Sequence, residues 1–534
     1  MKKTSKKIMK MYSILLASAM MLSLTACGNT ETSSANDGKQ IAAAANEVGE
    51  EEVVEAAEVV ADETEEADET EDSTDSKKDN KEKKTKKEAN KDSSSNDDKT
   101  KSSKSGKSGS TGKTDKSSGS SDEGSSDSAP GGSPDGTPPD GAPGGAPGGG
   151  SDSGSADESG TASTIISSDG KTYTNSADGE HAIEADGTTV SYSDITVNKT
   201  GDSSGDESDF YGKNSAIYAK NGASLTLKNI TVDTAGTHAN GVFSYGSGTT
   251  VTISDSTINT TGNCSGGLMT TGGGTMIANN LTIHTTGNSS AAIRSDRGGG
   301  TVKVTKGTYT TDGKGSPVIY STADITVSDA TLTSTSSQGV VVEGKNSVTL
   351  NNVELTADNN SKNSDKSDTY QAVMIYQSMS GDADEGTASF KATGGSITNK
   401  NGDVFFVNNT SATIELEDVD ITNEDSDGVF LRAEAAGWGT EGSNGGDVTL
   451  TATDQDIDGD IIVDDVSSLD MTLTDGSTFT GSINSDGAAG EVNVTISADS
   501  TWNLTDDSYI TSLDANESSV NLNGYSLYIN GSAY

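Results

Sequence analysis

The chain has 534 residues, of which 36 are Lys or Arg and 82 are Asp or Glu, so its formal net charge is −46. This acidity excludes a nucleic-acid binder, because such proteins neutralise phosphates with a basic surface. Only 30% of the residues are hydrophobic and 4% are aromatic, which excludes a polytopic membrane protein built from apolar runs of roughly 20 residues.

The N-terminus joins a lysine-rich start to a short apolar run. The run, residues 11–24, is too short to span a bilayer comfortably. It leads into the pentapeptide LTACG at residues 24–28, which resembles the lipobox of bacterial lipoproteins. The resemblance implies that residues 1–27 are a signal peptide and that Cys27 carries acyl chains such as palmitate. Those chains would anchor the protein to the outer side of the cell membrane.

Residues 28–160 change composition along their length without showing the pattern of a folded domain. An acidic stretch over 47–75 is followed by a Lys/Ser-rich stretch over 77–116 and a Gly/Ser/Asp/Pro-rich stretch over 117–160. Such segments cannot bury enough apolar surface to offset their loss of conformational entropy. We predict a disordered low-complexity tether with about 60–70 Å of typical reach. Its lysines could also hold an anionic wall polymer by charge.

Residues 161–534 contain a repeated pattern: apolar, any, apolar, any, Asn or Asp, apolar or small, any, apolar. The copies begin at Val190, Leu225, Val251, Met276, Val302, Ile325, Val348, Phe390, Ile414 and Leu450, with looser copies from Met471, Val494 and Val520. The fifth positions are Asp194, Asn229, Asp255, Asn280, Lys306, Asp329, Asn352, Gly394, Asp418 and Asp454. Asp and Asn tolerate the left-handed backbone conformation of tight turns. A third short apolar run, such as Val242-Phe243, completes each unit of roughly 24 residues.

Three short strands in each unit predict a parallel β-helix, because one coil cannot bury its apolar face without stacked neighbours. We therefore expect an all-β domain over 161–534, a single-stranded right-handed parallel β-helix of about 12–13 coils. The pattern resembles the right-handed β-helices of pectate-lyase-like enzymes, bacterial adhesins and autotransporter passenger domains. Residues 500–509 look like the late rungs of such passengers. No translocating barrel follows these residues, so the lipobox and the tether lead us to expect display on a Gram-positive cell surface instead of secretion by the autotransporter route.

Three units are longer than the others and predict loops at 201–215, at 357–369 with 377–386, and at 432–446. The loops 377–386 and 432–446 follow the third strand two coils apart, which is about 10 Å at the ~4.8 Å strand spacing. We expect them to form one wall. Its candidate ligand-binding residues are Tyr376, Asp382, Asp384, Glu385, Arg432, Trp438 and Glu441.

Trp438 is the central residue of this predicted wall. It lies in a Gly-rich stretch that offers little to bury the indole, and carboxylates stand beside it. An exposed ring that stacks on a sugar, with polar groups that orient its hydroxyls, suits carbohydrate binding. The alternative is a loop that folds back, so that Trp438 covers an edge of the core.

A second candidate site is acidic. The spacing of Asp454, Asp456, Asp458 and Asp465 resembles the calcium loop of EF-hand and dockerin modules, although no flanking helices are predicted. We expect Asp456 and Asp458 to face outward, with Asp420 in the same column one coil earlier. Carboxylates at that spacing repel one another. Asp420, Asp456 and Asp458 are therefore candidate Ca²⁺ ligands, and the alternative is a solvated acidic face.

The second strand of each unit places a column of Thr outward, with a neighbouring polar column. The outward pairs are Thr196/Asn198, Thr231/Asp233, Thr257/Asn259, Thr282/His284, Thr308/Thr310 and Thr331/Thr333. Asn, Asp and His interrupt the regularity of this Thr ladder, which favours a flat polysaccharide- or protein-binding face over an ice-binding face. β-branched Thr is also common at exposed strand positions.

Catalytic signatures are sparse. No catalytic triad order, zinc spacing or phosphate-binding loop occurs. Arg432 near Asp382 and Asp384, or Arg294 with Asp296, would imitate the basic residue and carboxylates of pectate-lyase-like enzymes. The sequence predicts a monomeric, lipid-anchored adhesin or carbohydrate-binding module without catalysis, whose ligand is a surface polysaccharide or a host-matrix component. The alternative is a β-helical polysaccharide lyase or glycoside hydrolase.

Overall fold

A computed structural model of the chain describes residues 164–167, 170–362, 366–487 and 490–534. The predicted signal peptide with Cys27, and the predicted tether 28–160, lie outside the described residues. Within those ranges, none of the helices is long and apolar enough to cross a membrane.

Parallel strands form nearly all of the regular structure, arranged in four sheets. Sheet A has 20 strands: Thr164–Ser167, Thr172–Asn175, Thr189–Ser193, Thr196–Lys199, Ser224–Lys228, Thr231–Thr234, Thr250–Ser254, Thr257–Thr260, Gly274–Thr285, Gly300–Thr311, Asp324–Ser328, Thr331–Ser334, Ser347–Ala357, Ala388–Asn399, Thr410–Glu417, Asp420–Asn423, Gly446–Thr453, Ser468–Thr474, Glu491–Ile496 and Ser512–Asp514. Sheet B has 11 strands: Ile183–Asp186, Ile217–Lys220, Val242–Tyr245, Leu268–Thr271, Ile293–Ser295, Ile319–Ser321, Val340–Glu343, Gln371–Tyr376, Asp403–Asn408, Leu431–Ala433 and Ile461–Val463.

The remaining elements are short. Sheet C consists of Asp456–Asp458, Thr478–Thr480, Thr501–Asn503 and Val520–Asn521. Sheet D consists of Ser508–Ile510, Leu527–Ile529 and Ser532–Ala533. One α-helical turn covers Asp206–Asp209 and one 3-10 turn covers Glu517–Ser519.

The predicted parallel β-helix is confirmed by the strand register. Each predicted copy start pairs with the next in a parallel ladder, from Val190 with Leu225 through to Ile414 with Leu450. The looser copy at Val520 is wrong, because Val520 pairs with Trp502 in sheet C instead of aligning with the copy starts in sheet A. The two sheet A segments and the sheet B strand of each unit make one coil.

A bend between the two sheet A segments explains the Asn/Asp position of the repeat. All ten predicted fifth positions have a positive φ, from 49° at Asp454 to 61° at Lys306 and Gly394. Stacked Asn and Asp side chains also bond across coils: Asn280 Nδ2 donates to Asp255 Oδ1 at 2.9 Å, and Asn352 Nδ2 donates to Asp329 Oδ1 at 2.9 Å. The bend residue therefore supplies both a backbone conformation that Asn and Asp tolerate and a link between neighbouring coils.

Glycine is required at one turn because successive coils approach closely there. A Cβ added to Gly262 would lie 2.0 Å from the carbonyl oxygen of Gly236, and one added to Gly287 would lie 1.9 Å from that of Gly262. Any side chain at these positions would force the coils apart.

Inward-facing side chains form one continuous apolar cluster that extends from Ile183 to Leu527. Near its C-terminal end, Trp502 is fully buried, its Nε1 donates to the Gly481 carbonyl at 3.0 Å, and its ring stacks on Phe479 with centroids 5.6 Å apart. Stacked coils thus bury a long core although few residues are aromatic.

The outward face of sheet B is largely covered. Its side chains belong to two separate apolar clusters, one of Tyr218, Phe243 and Met269, and one of Val341, Met374, Tyr376 and Phe406 joined by Trp438 from loop 432–446. Parts of the predicted loops 201–215, 377–386 and 432–446 pack over this face. The outward side of sheet B is therefore where the molecule departs from a bare solenoid.

Candidate functional site

An open groove lined with aromatic rings lies at the N-terminal end of the outward face of sheet B. It has a volume of about 360 Å³ and is lined by His181, Glu207, Tyr211, Lys213, Tyr218, Lys220 and Tyr245. We call this the aromatic groove. Tyr218 and Tyr245 extend from neighbouring sheet B strands, because the ladder pairs Tyr218 with Phe243 two residues before Tyr245. Glu207, Tyr211 and Lys213 come from loop 201–215.

The rings of the aromatic groove are partly aligned. His181 stacks on Tyr218 with centroids 4.5 Å apart, and Tyr218 is nearly parallel to Tyr245 at 6.4 Å. Tyr211 meets Tyr245 edge-on at 5.8 Å. Tyr218 is buried, whereas His181, Tyr211 and Tyr245 are partly exposed. Aromatic surface is thus accessible to a ligand in this groove.

The imidazole of His181 is held in one tautomer. Its Nδ1 lies 2.8 Å from the Ser215 carbonyl oxygen, which can only accept, so Nδ1 carries the proton. Burial lowers the pKa of His181 below its usual value, although the Ser215 bond and Glu184 act in the opposite direction. The ring is therefore neutral at pH 7, and Nε2 is an acceptor. Burial also raises the pKa of Tyr218 well above its ordinary range, which keeps its hydroxyl protonated.

The charges around the groove nearly cancel. Lys220 is paired with Glu184 at 2.6 Å and with Asp186 at 3.6 Å. Glu207 and Lys213 are exposed and form no ion pair within the part of the chain that the structure describes. These two side chains are available to a ligand.

Loop 201–215 is fixed at several points. The Asp209 carboxylate lies 2.5 Å from His238 Nδ1, and the side chains are 9% and 4% exposed. Thr271 Oγ1 donates to the Phe210 carbonyl at 2.7 Å. Arg297 lies over the Phe210 ring at 3.6 Å and pairs with Asp206 at 3.2 Å. These contacts hold Glu207 and Tyr211 in place at the groove.

Arg297 also contacts the second covering loop. Its Nε donates to Asp382 Oδ1 at 2.7 Å, and the Asp382 side chain is only 3% exposed. One guanidinium thus links loop 201–215 to loop 377–386. The sequence suggested Asp382 as a neighbour of Arg432, but in the structure the ion-pair partner of Asp382 is Arg297.

A cluster of buried carboxylates lies beneath loop 377–386. Asp296 binds Arg294 at 2.6 Å, as the sequence suggested, and Glu343 accepts hydrogen bonds from Ser378, Tyr320 and Tyr376. Burial raises the pKa of Asp296 to about 6, against the opposing effect of Arg294. Burial also raises the pKa of Glu343, with the nearby charge of Asp382 acting in the same direction.

Trp438, the central ring of the predicted loop wall, is not exposed. Trp438 is 3% exposed and meets Tyr376 edge-on with centroids 5.2 Å apart. Tyr376 is itself fully buried, and Lys366 lies 5.7 Å from the centre of the indole. Loop 432–446 thus packs on sheet B through Trp438, and the expectation that little buries Trp438 is wrong. The other interpretation, a loop folded back over the core edge, describes this region.

The charged residues predicted for the wall are dispersed. Arg432 pairs with buried Asp403 at 2.7 Å and with Glu434 at 3.4 Å. Asp384 is exposed and pairs with Lys345 at 2.8 Å, and Glu385 and Glu441 are exposed. A ligand-binding role for this set stays a prediction, but the structure offers it no accessible ring.

The predicted calcium ligands are outward-facing, as expected, since Asp420, Asp456 and Asp458 are all exposed. They do not form a cluster of three ligand atoms. Among the described residues, the group of Asp, Glu, His and Cys close enough to hold a metal ion is Asp209, His238 and Cys264. Calcium binding by the three aspartates stays a prediction.

The predicted Thr column is confirmed by the register of sheet A. Thr172 pairs with Thr196, and the column continues through Thr231, Thr257, Thr282, Thr308 and Thr331. It ends at Glu354. The column makes a flat polar face without aromatic rings.

Comparisons with known proteins do not assign the chain to a family. No family model, curated protein or solved structure matches the chain. The sequence predicted loop 201–215, which contributes Tyr211, but did not predict the aromatic groove. The available signal was the placement of Tyr218 and Tyr245 at outward positions of third strands next to the longest N-terminal unit.

Proposed function

We propose that the protein is a surface-anchored carbohydrate-binding β-helix, an adhesin or binding module without catalysis, and that the aromatic groove holds its ligand. The observation that supports the proposal is the set of accessible rings beside unpaired polar groups at one concave site. Its volume of about 360 Å³ lies in the range of small-molecule sites and suits one or two sugar rings.

The chemistry of the groove matches that of a sugar. A pyranose has an apolar face that packs on an aromatic ring and hydroxyls that both donate and accept. His181 Nε2 and Glu207 accept, Lys213 donates, and the Tyr211 and Tyr245 hydroxyls can do either. The groove is also open, so a polysaccharide could pass through it and bind by an internal residue.

Attachment to the membrane is part of the proposal and relies on the N-terminal sequence. Acylation of Cys27 and a flexible segment after it would hold the β-helix at the outer surface of the cell. A Cys27→Ser chain should then move from the membrane fraction to the medium. Retention of this variant in the membrane fraction would contradict anchoring through Cys27.

Catalysis is the second candidate, because buried carboxylates with raised pKa values are common in active sites. Here Asp296 and Glu343 lie beneath loop 377–386, and both are at most 1% exposed. Arg294, Arg297 and Arg432 are each paired with a carboxylate. A lyase base needs access to the substrate, so binding without turnover is the better-supported function.

The proposal can be tested by affinity electrophoresis of the purified full chain in gels that contain soluble polysaccharides. We expect at least one polysaccharide to retard the wild type, and Tyr211→Ala and Tyr245→Ala to reduce that retardation. Tyr525→Ala is the matched control, since Tyr525 is 42% exposed and lies outside the groove. Newly formed reducing ends in the same mixtures would instead support the enzyme.

Absence of retardation in every gel would contradict the proposal. So would equal losses of retardation in Tyr245→Ala and Tyr525→Ala.

A further inference from the structure

We infer that the aromatic groove selects uncharged pyranose polymers over polymers that carry carboxylate, sulfate or phosphate groups. This inference rests on the proposed function and concerns the class of ligand at the same site. It is argued from the cations that the groove can and cannot offer.

Recognition of an anionic sugar needs a cation that is not already neutralised. Of the two lysines in the groove, Lys220 lies 2.6 Å from the Glu184 carboxylate and 3.6 Å from that of Asp186. The acid group in contact with it raises its pKa, so it stays charged but already has its counter-ions. Lys213 is the remaining groove cation, and Glu207 shares the same groove.

Arginine is also not available for this purpose. The planar guanidinium is the side chain best suited to grip a carboxylate or phosphate with two bonds. The guanidinium nearest the groove loop, that of Arg297, binds Asp382 at 2.7 Å and Asp206 at 3.2 Å. Arg294 and Arg432 are paired with Asp296 and Asp403.

The remaining polar groups favour hydroxyls. His181 is neutral at pH 7, with Nε2 as an acceptor for a hydroxyl proton. The Glu207 carboxylate accepts from hydroxyls and repels an anionic sugar. The groups facing His181 from the packed elements are Glu184, Lys220 and Lys199, and Lys199 bonds to backbone carbonyls of Ala177 and Gly201.

Long-range electrostatics act in the same direction. A chain with a net charge of −46 repels a polyanion before contact at low ionic strength. The groove has no excess of unpaired positive charge with which to overcome this repulsion. An uncharged polymer has no such barrier, and stacking on the rings is unaffected by salt.

The test compares polymers that differ mainly in charge. The purified full chain is run in gels that contain hydroxyethylcellulose, dextran or galactomannan, and in gels that contain carboxymethylcellulose, dextran sulfate or polygalacturonate. Dissociation constants are taken from the retardation at about 20 mM and 300 mM salt. We expect an uncharged polymer to bind at least tenfold more tightly than its charged counterpart at low salt, with loss in Tyr245→Ala.

Three variants of the charged groove residues sharpen the result. Gels that contain the charged polymers should retard Glu207→Lys at low salt. Glu207→Gln should change binding of the uncharged polymers by less than Tyr245→Ala does. Lys213→Gln, whose amide still donates a hydrogen bond, should weaken binding of the uncharged polymers by less than Tyr245→Ala does.

The inference would be overturned if a charged polymer bound at least as tightly as its uncharged counterpart and bound Lys213→Gln more weakly than the wild type. The proposed carbohydrate-binding function would still stand in that case. Absence of binding to every polymer would overturn both this inference and the proposed function. A loss of uncharged binding in Lys213→Gln larger than that in Tyr245→Ala would also contradict the inference, because recognition would then depend mainly on the cation.

Discussion

Replacing Trp438 with Ala tests whether this indole serves stability or ligand binding. The side chain is 3% exposed and packs with Val341, Met374, Tyr376 and Phe406. A tryptophan buries about 200 Å², and at about 25 cal/mol per Å² its loss amounts to about 5 kcal/mol. Its Nε1 is buried without a hydrogen-bond partner among the described residues, so no partner is orphaned. We therefore expect a destabilisation of about 3–5 kcal/mol.

Trp438→Ala and Tyr245→Ala should have opposite effects on stability and on polysaccharide retention. Tyr245→Ala removes an accessible ring of the aromatic groove, so polysaccharide retention should fall while the unfolding midpoint changes little. Trp438→Ala should leave retention unchanged at temperatures where the variant is folded, because the cluster around Trp438 belongs to other coils than the groove.

Guanidinium unfolding and hydrogen exchange measure the effect of Trp438→Ala on stability. Trp438 and Trp502 are the two tryptophans of the chain, so Trp438→Ala leaves the fully buried Trp502 as the fluorescence reporter of guanidinium unfolding. Because solenoids can open locally, hydrogen exchange of residues 434–446 should show the largest loss of protection. The reasoning would be refuted if Trp438→Ala changed neither the hydrogen exchange nor the unfolding midpoint. It would also be refuted if Trp438→Ala lost polysaccharide retention while Tyr245→Ala kept it.

Three further predictions concern charged residues, namely Arg297, Asp296 and Asp454. Arg297→Ala should weaken polysaccharide binding about tenfold, or about 1.4 kcal/mol, because loop 201–215 loses its anchor; Arg297→Lys should restore part of the affinity, and unchanged affinity would contradict this positioning role. The pKa of Asp296 is raised from 3.8 to about 6, so its stabilising contribution is present below pH 4 and lost as the pH rises through 6. Relative to Asp296→Asn, the free energy of unfolding of the wild type should therefore fall by on the order of 2–3 kcal/mol between pH 4 and pH 7. Parallel pH profiles of the two proteins would contradict this prediction. Glu417 pairs with Thr453, so the bend residues that follow them, Asp418 and Asp454, stack on neighbouring coils and repel each other. Asp454→Asn should therefore raise the free energy of unfolding by about 0.5 kcal/mol at low salt, whereas Asn229→Asp should lower it. Changes of the same sign for both variants in urea titrations would contradict the charge argument.

The pairing of the arginines bears on the enzyme hypothesis. The sequence placed Arg432 in a loop wall with Asp382 and Asp384, an arrangement that would resemble a lyase site. In the structure Arg432 instead neutralises Asp403, which is 1% exposed, and Arg297 neutralises Asp382. Buried charges need partners, so these arginines are used to stabilise the covering loops.

The sequence by itself determined the solenoid. Apolar alternation sets which strand residues face inward, and Asn or Asp at eight of the ten bends marks a backbone conformation that few other residues adopt readily. Both signals are local, and each is repeated in every coil. For this reason the copy starts from Val190 to Leu450 align in the structure, and the bend residues share a positive φ even where the sequence has Lys306.

Only the tertiary structure decided which outward residues reach solvent. Alternation places Tyr245 and Tyr376 equally on the outward side of sheet B, yet one lines an open groove and the other is fully buried. The difference arises because long loops fold over neighbouring coils, and the path of a loop depends on contacts such as Arg297 with Asp382 across 85 residues. A repeat pattern has no information about such pairings, so the burial of Trp438 and the assembly of the groove followed from packing alone.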